Sequence, residues 1–250
     1  INGFNFFFQL FEKHLNFFFI PVIKEMLAFL AIFVKISSSY ECGKGELIIP
    51  DGTTVIYPYQ YEGCTEYVGH LNIPDTVTLI CYRAFSGCSG LTGSLIIPES
   101  VETIEEYAFY YTGFNGTLQL PDSLSNIQSN AFYICRNLTG ALKIPKSLTI
   151  INDNVFSSCI NFTELVLHDK ISYIGNRAFD SCFGFKGTLK IPESVTYIGD
   201  SSFRSCYGFT GQLDIPNSVK KIGSLAFFKC YGFTGILNIP NSIEKIESCT

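Results

Sequence analysis

The sequence lacks tryptophan, contains a single methionine, and carries charge on only 16% of its 250 residues. Its 17 basic residues are outnumbered by 22 acidic ones, which gives a net charge of −5. A protein that binds nucleic acid needs a basic surface to displace counterions from phosphates. We therefore predict no nucleic-acid partner. The apolar fraction of 47% is too high for a disordered chain.

Motifs of catalytic and metal sites are also missing. The three histidines, His14, His70 and His168, are far apart in sequence, and no C-x-x-C, H-E-x-x-H, G-x-S-x-G, Walker or EF-hand pattern occurs. Carboxylates that follow prolines, such as Glu99 and Asp122, are interpreted as turn residues that accept backbone N–H groups. The sequence therefore predicts no enzyme, no cofactor, no metal and no small-molecule substrate.

The first 40 residues differ in composition from the rest, because they hold 10 of the 24 phenylalanines. A membrane-spanning helix needs about 20 apolar residues, and Lys24 with Glu25 interrupts this stretch. From Met26 an apolar core over 27–34 leads to small residues ending at Ser39, which is typical of a secretory signal peptide. The alternative is an apolar anchor of a longer protein. The predicted divisions are an upstream or leader segment at 1–25, a signal peptide at 26–39 and a repeat domain at 40–250.

A repeat of 23 or 24 residues occupies that last division. Relative to a marker proline, each unit has Leu three positions before, Ile or Leu one before, Ile six after, Phe eleven after and Cys fourteen after, with few exceptions. A period of this length, held over about 200 residues, is the signature of a solenoid of stacked coils. The markers are Pro50, Pro74, Pro98, Pro121, Pro145, His168, Pro192, Pro216 and Pro240.

The spacing within one unit predicts its local structure. The alternation L-x-I before the marker indicates a short strand with one buried face, which the proline ends because it cannot donate to a β-ladder. Apolar residues ten, eleven and fourteen positions after the marker, as in Ala178, Phe179 and Cys182, follow helical spacing. We therefore expect one short helical turn on the opposite side of each coil.

Two units, LKIPESVTYIGDSSFRSCYGFTG at 189–211 and LDIPNSVKKIGSLAFFKCYGFTG at 213–235, resemble the BspA-type (TpLRR) leucine-rich repeat of bacterial and protist surface proteins. The resemblance covers about residues 47–250. It implies an α/β fold: a right-handed solenoid of about eight coils, with a parallel β-sheet on the concave face and short helical turns opposite. It also implies a surface-exposed binding or adhesion role without catalysis. Tyr61 in the Phe position and Thr112 in the Cys position are local departures.

The sequence contains ten cysteines, of which seven share one offset in the repeat. Side chains stacked in register point in parallel, whereas a disulfide needs its β-carbons to converge. We therefore predict a buried ladder of unbridged thiols that act as small hydrophobic groups. Cys42 lies outside this register, and a Cys42–Cys64 disulfide is the less favoured alternative. The seven in register are Cys64, Cys88, Cys135, Cys159, Cys182, Cys206 and Cys230.

The residue between Leu and Ile of each predicted strand faces outward and varies from coil to coil. We predict that this row binds a protein or another macromolecular surface ligand. Its polar members, which we call the candidate face, are Asn72, Gln119, Lys143, Lys190, Asp214 and Asn238. Among the aromatic residues after each Cys, Tyr207 and Tyr231 are expected to be exposed anchors, and the phenylalanines two positions later are expected to be core.

Three N-x-[ST] sequons lie at similar offsets, at Asn115, Asn137 and Asn161. They are candidate N-glycosylation sites if the chain enters a eukaryotic secretory route, and otherwise Asn is simply frequent in that loop. We predict an extracellular or cell-surface protein that mediates protein interaction or adhesion. The alternatives are an intracellular interaction scaffold of the same fold and an inert structural element of a surface coat. Apart from that apolar-anchor alternative, membrane attachment is predicted only if a downstream anchor is missing from this sequence.

Overall fold

The structure is a computed structural model that describes residues 42–247, apart from the side chains of Lys245 and Ile246. The predicted leader at 1–25 and signal peptide at 26–39 lie outside the described residues, and so does Cys249. No helix within 42–247 is long and apolar enough to cross a membrane.

The described residues form thirteen short strands, and every strand pair is parallel. Together they make a β-solenoid of about seven turns. The strands are β1 (Val55–Ile56), β2 (Leu79–Ile80), β3 (Leu95–Ile96), β4 (Thr103–Ile104), β5 (Leu118–Gln119), β6 (Asn126–Ile127), β7 (Gly140–Lys143), β8 (Ile150–Ile151), β9 (Phe162–Val166), β10 (Tyr173–Ile174), β11 (Tyr197–Ile198), β12 (Lys221–Ile222) and β13 (Lys245–Ile246).

The predicted strand before each marker is confirmed only in pieces. It forms the pairs β3–β5 and β7–β9 and several isolated bridges, among them Ile48↔Asn72 and Lys190↔Asp214. The longer ladders, β1-β2-β4-β6 and β8-β10-β11-β12-β13, contain instead the Ile that lies six positions after the marker. Stacking by whole coils places each such Ile on the next, as in Ile80↔Ile104 and Ile198↔Ile222. The repeat pattern did not predict this second strand.

The predicted helical turns are wrong, and with them the α/β class, because the described residues contain no helix. In the segment that follows Ile174, Arg177 and Ser181 have φ angles of 53° and 60°. Such left-handed residues end a right-handed helix after every turn. Their backbone N–H groups donate to the next coil, to Asp200 O at 2.8 Å and Arg204 O at 2.7 Å. Consecutive tight turns therefore direct these apolar residues into the core, at a sequence spacing that resembles that of a helix.

Stacked phenylalanine rings form the centre of the core. The rings eleven positions after the marker lie 5.2–5.9 Å apart between centroids, with interplanar angles of 17° or less. Tyr61 extends the stack onto Phe85 at 5.2 Å. The predicted core residues Phe185 and Phe209 are buried against this stack. Each buried ring contributes roughly 1.5–3 kcal/mol through the removal of apolar surface from water.

The thiol ladder is confirmed beside these rings. Cys135, Cys159, Cys182 and Cys206 are buried and outside disulfides. Each Sγ lies within hydrogen-bonding distance of the phenylalanine carbonyl of the preceding coil, for example Cys159 Sγ at 3.1 Å from Phe132 O. Burial raises the pKa of Cys135 to about 11, which keeps its thiol protonated.

The disfavoured alternative at the first coil is nevertheless present, since Cys42 and Cys64 form a disulfide with their α-carbons 5.2 Å apart. The expectation of an unbridged Cys64 is therefore wrong. Cys42 is not one of the parallel in-register side chains, so its β-carbon can approach Cys64 from a different direction.

Candidate interaction surface

All six residues of the candidate face are exposed. Parallel bridges place Asp214 between Lys190 and Asn238, and align Asn72 with Ile48. Strand pairing aligns Gln119 with Ile96 and Lys143 with Val166. The flanking Leu and Ile point to the other side, because successive side chains of a strand alternate between its faces. They are largely buried, except Leu237 and Ile239 of the last coil, which are 55% and 48% exposed. The outward residues therefore form one row across the coils.

The charges in this row are not paired with one another. No salt bridge involves Lys143, Lys190 or Asp214 among residues 42–247. Asp214 instead accepts a hydrogen bond from Gln212 Nε2 at 2.8 Å. Ile96 is 53% exposed within the same row, so the row presents apolar as well as polar groups. A surface of this kind can make both apolar and charged contacts with a partner.

A groove of about 540 Å³ interrupts the row between Val166 and Lys190. The coil that starts at Pro145 has 23 residues, and the pair β7–β9 shifts register between Gly140 and Ala141. No β-pairing joins Val166 to Lys190 in the part of the chain that the structure describes. The groove lining includes Thr163, Glu164, Val166, Lys186, Thr188 and Lys190.

The aromatic residues that were predicted to be anchors lie in a second row. Phe183 stacks on Tyr207 with ring centroids 5.1 Å apart, and Tyr207 stacks on Tyr231 at 5.8 Å. Their exposed fractions are 41%, 40% and 75%. The predicted exposure of Tyr207 and Tyr231 is confirmed. Because the rings stack, Tyr207 is covered from both sides, whereas Tyr231 at the end of the stack is the most exposed of the three.

The three sequon asparagines are exposed. Asn115 Oδ1 accepts from the backbone N–H of Gly93 at 2.8 Å, and Asn161 Nδ2 donates to Arg136 O at 2.9 Å. These contacts join neighbouring coils, so the asparagines also stabilise the loops in which they lie.

The remaining polar candidates have structural contacts. His168 Nε2 lies 2.8 Å from Pro145 O, and the backbone N–H of Lys170 donates to His168 Nδ1 at 3.2 Å. Asp122 accepts a hydrogen bond from the backbone N–H of Lys146, which lowers the pKa of its carboxyl, as expected of a turn carboxylate. Within 42–247 no group of three or more His, Cys, Asp and Glu side chains is placed to hold a metal ion.

One cluster of aromatic side chains was not predicted from the sequence. Six tyrosines from four consecutive coils contact one another through their rings, with centroid distances of 5.2–6.2 Å. The sequence does contain many tyrosines eight to thirteen positions after the marker in these coils. Only the structure shows that side chains at these different positions contact one another. This tyrosine surface consists of Tyr59, Tyr82, Tyr107, Tyr110, Tyr111 and Tyr133.

Comparison with known proteins identifies the repeat. Residues 54–186 and 139–250 match the model of the BspA type leucine rich repeat region, with six copies. The crystal structure of the T. pallidum leucine rich repeat protein (TpLRR) has a TM-score of 0.51 and 26% identity, covering 73% of this chain and 72% of that one. A leucine-rich repeat protein from Bacteroides ovatus ATCC 8483 has a TM-score of 0.42 and 23% identity, covering 78% and 73%.

A leucine rich cell surface protein from Faecalibacterium prausnitzii A2-165 has a TM-score of 0.40 and 22% identity, covering 77% of this chain and 73% of that one. No curated protein sequence matches the chain significantly.

Proposed function

Since this chain belongs to the BspA-type leucine-rich repeat family, we propose that it is a non-enzymatic, exported protein that binds another macromolecule through the candidate face. The observation that carries the proposal is the row of exposed, coil-to-coil variable side chains on a stacked backbone. About seven turns at a strand spacing of roughly 4.8 Å give a row about 34 Å long. That length matches a protein–protein interface of standard size.

The chemistry of the row favours a protein partner. Lys143, Lys190 and Asp214 supply unpaired charges that can fix orientation, and Ile96 with Val166 supplies apolar contact. The groove between Val166 and Lys190 offers a place for one partner side chain. Specificity would come from shape and distributed charge, and no bond would be made or broken.

Export is supported by separate features. The Cys42–Cys64 disulfide is typical of an oxidising compartment, and the segment 26–39 resembles a signal peptide. An adhesive role at a cell surface is the form of binding that the family resemblance suggests. The intracellular scaffold is the alternative, and a reduced, uncleaved chain would favour it.

Export is tested by producing the chain from Met26 in a eukaryotic secreting cell and measuring intact masses in medium and lysate. We expect secreted protein that begins near Tyr40, with glycan at one or more of Asn115, Asn137 and Asn161. An uncleaved chain confined to the cytosol would overturn export. An Asn→Gln change at each sequon assigns any added mass to its site.

Binding through the candidate face is tested with two charge-matched variants against a panel of immobilised extracellular proteins. The first variant combines Lys143→Asn with Lys190→Asn. Asparagine occurs at the equivalent position of other coils, as Asn72 and Asn238. Lys220→Thr with Lys221→Thr removes equal charge from another ladder, where Thr196 and Thr103 are the equivalents. We expect saturable binding that the first variant weakens at least tenfold and the second leaves within twofold. Equal effects would exclude the candidate face.

A further inference from the structure

The tyrosine surface already holds one cation. The guanidinium carbon of Arg83 lies 5.5 Å from the ring centroid of Tyr82 and 5.0 Å from that of Tyr107. Arg83 Nη1 donates to Glu62 Oε1 at 3.1 Å, and Nε donates to the Tyr82 hydroxyl at 3.1 Å. The Glu62 hydrogen bond raises the pKa of Arg83 above its ordinary value. The rings of Tyr82 and Tyr107 and the carboxylate of Glu62 therefore contact the same guanidinium group.

The surroundings contain more acceptors than this arginine uses. Residues 42–135 carry ten Asp and Glu but only two basic residues, Lys44 and Arg83. A polar groove of about 280 Å³ beside the tyrosines is lined by Glu106, Gln128, Ser129 and Asn152. All four side chains carry oxygens that can accept hydrogen bonds from a donor-rich cation.

Two contacts hold this groove in shape. Glu106 Oε1 accepts from Asn130 Nδ2 at 3.2 Å, and the Glu106 backbone N–H donates to Gln128 Oε1 at 3.2 Å. Burial is the main cause that raises the pKa of Tyr107, and the negative charge of the nearby Glu106 adds to it. The phenol therefore remains neutral and can donate a hydrogen bond. The Glu106 side chain is thereby held at the groove, and its charge acts on the phenol of Tyr107.

We propose that the tyrosine surface, with the adjoining Glu106 groove, binds an arginine-rich segment of a partner protein. Planar guanidinium groups stack on tyrosine rings and pair with carboxylates in a fixed geometry, which the compact ammonium of lysine does not reproduce. The surface extends over four coils, or about 15 Å, and this is the length of four or five residues of extended peptide. Charge complementarity steers such a segment toward the acidic coils.

This interaction is distinct from binding at the candidate face. The tyrosines lie eight to thirteen positions after the marker, whereas the candidate face lies two positions before it. A chain that failed to bind through Lys143 and Lys190 could still bind a basic segment here. The two proposals are therefore tested separately.

The test uses the full chain with fluorescein-labelled octa-arginine and octa-lysine peptides, followed by fluorescence anisotropy at low and high salt. We expect saturable binding of octa-arginine, at least fivefold tighter than octa-lysine and weakened by salt. Tyr107→Asn with Tyr110→Ser should weaken octa-arginine binding at least tenfold and abolish the preference over octa-lysine. Glu106→Gln should weaken the binding of both peptides.

The substitutions preserve the fold because other coils carry them. Asn130 and Asn154 occupy the position of Tyr107 with φ angles of 62° and 55°, close to the 57° of Tyr107 itself. Ser86 and Ser157 occupy the position of Tyr110. Thermal unfolding of each variant verifies that the solenoid is intact before affinities are compared.

Two control variants distinguish binding at this site from non-specific attraction of the basic peptides to the acidic protein. Asp75→Asn removes one exposed carboxylate where other coils carry Asn217 and Asn241, and Tyr231→Ser removes an exposed ring from the other aromatic row. Both should leave octa-arginine affinity within twofold. Equal affinity for the two peptides, or a comparable loss in either control, would overturn the proposal. Peptide-free dimers that dissociate on Tyr107→Asn would also overturn it, because the occupant would then be a second copy of the chain.

Discussion

The guanidinium of Arg204 and the carboxylate of Asp180 form two parallel hydrogen bonds between adjacent coils. Nε lies 2.9 Å from Oδ1 and Nη2 lies 2.7 Å from Oδ2. Asp180 is 5% exposed and also accepts from Ser181 Oγ at 3.1 Å. The hydrogen bonds that Arg204 donates to Asp180 raise the pKa of Arg204. Residues at the same offset in successive coils thus become a charged pair.

Replacing Arg204 by serine should destabilise the protein by about 1–2 kcal/mol, because the buried carboxylate of Asp180 loses its charged donor while the partly exposed pair is screened by water. Serine is the residue that other coils carry here, as at Ser157. Asp180→Ser combined with Arg204→Ser should recover part of the loss. Urea unfolding of the wild type, the two single variants and the double variant measures the coupling between Asp180 and Arg204. Strictly additive effects would contradict this coupling.

Ser202→Ala should stabilise the protein by about 1 kcal/mol. Ser202 is fully buried, and its hydroxyl has no hydrogen-bond partner among the residues that the structure describes. An unsatisfied buried hydroxyl is destabilising, and alanine removes it without creating a large cavity. The converse change, Ala178→Ser, should destabilise by a similar amount at the equivalent position. Chemical denaturation gives both values, and a loss of stability in Ser202→Ala would refute the assignment.

Loss of the Cys42–Cys64 disulfide should destabilise the first coil by about 3 kcal/mol, because the bridge closes a loop between residues 22 positions apart. Cys42→Ser, Cys64→Ser and the double variant should unfold at similar midpoints, since each removes the same bond. Thiol labelling of the unfolded, unreduced wild-type chain counts the unbridged cysteines. If that count shows both Cys42 and Cys64 labelled, the bridge does not form in solution.

The thiol ladder should make stability fall at alkaline pH. Burial raises the pKa of Cys135 and Cys230 from an ordinary value of 9.0 to about 11. The unfolded chain therefore releases these protons near pH 9 while the folded chain retains them. The stabilisation is complete below pH 9 and is lost between about pH 9 and 11, by about 1.4 kcal/mol per pH unit for each thiol.

The measurement is the melting temperature of wild type and Cys135→Thr from pH 7.5 to 10.5, without reductant so that the disulfide stays intact. Threonine is the residue that the Pro98 coil carries in this position, as Thr112. The variant should lose less stability over this pH range than the wild type. Parallel melting curves would show that Cys135 does not contribute to the alkaline loss.

Positions that share an offset could be predicted from the sequence because the period alone brings them together. The Phe85–Phe109–Phe132 stack, the Cys159–Cys182 ladder and the exposed outward row all follow from a coil length of 23 or 24 residues. The helical turn was wrong because apolar spacing does not record the sign of φ. Arg177 and Ser181 are neither glycine nor asparagine, so nothing in their side chains marked them as left-handed.

The amino-acid sequence by itself determined the solenoid, its register and the contents of its core, because stacking identical offsets is the way in which such short coils bury their apolar residues. The tertiary structure alone decided which different offsets meet. Cys42 reaches Cys64, and Arg83 lies against both Tyr82 and Tyr107, because tight turns set where each side chain leaves the backbone. Those directions depend on dihedral angles and on neighbouring coils together, and a repeat period contains neither.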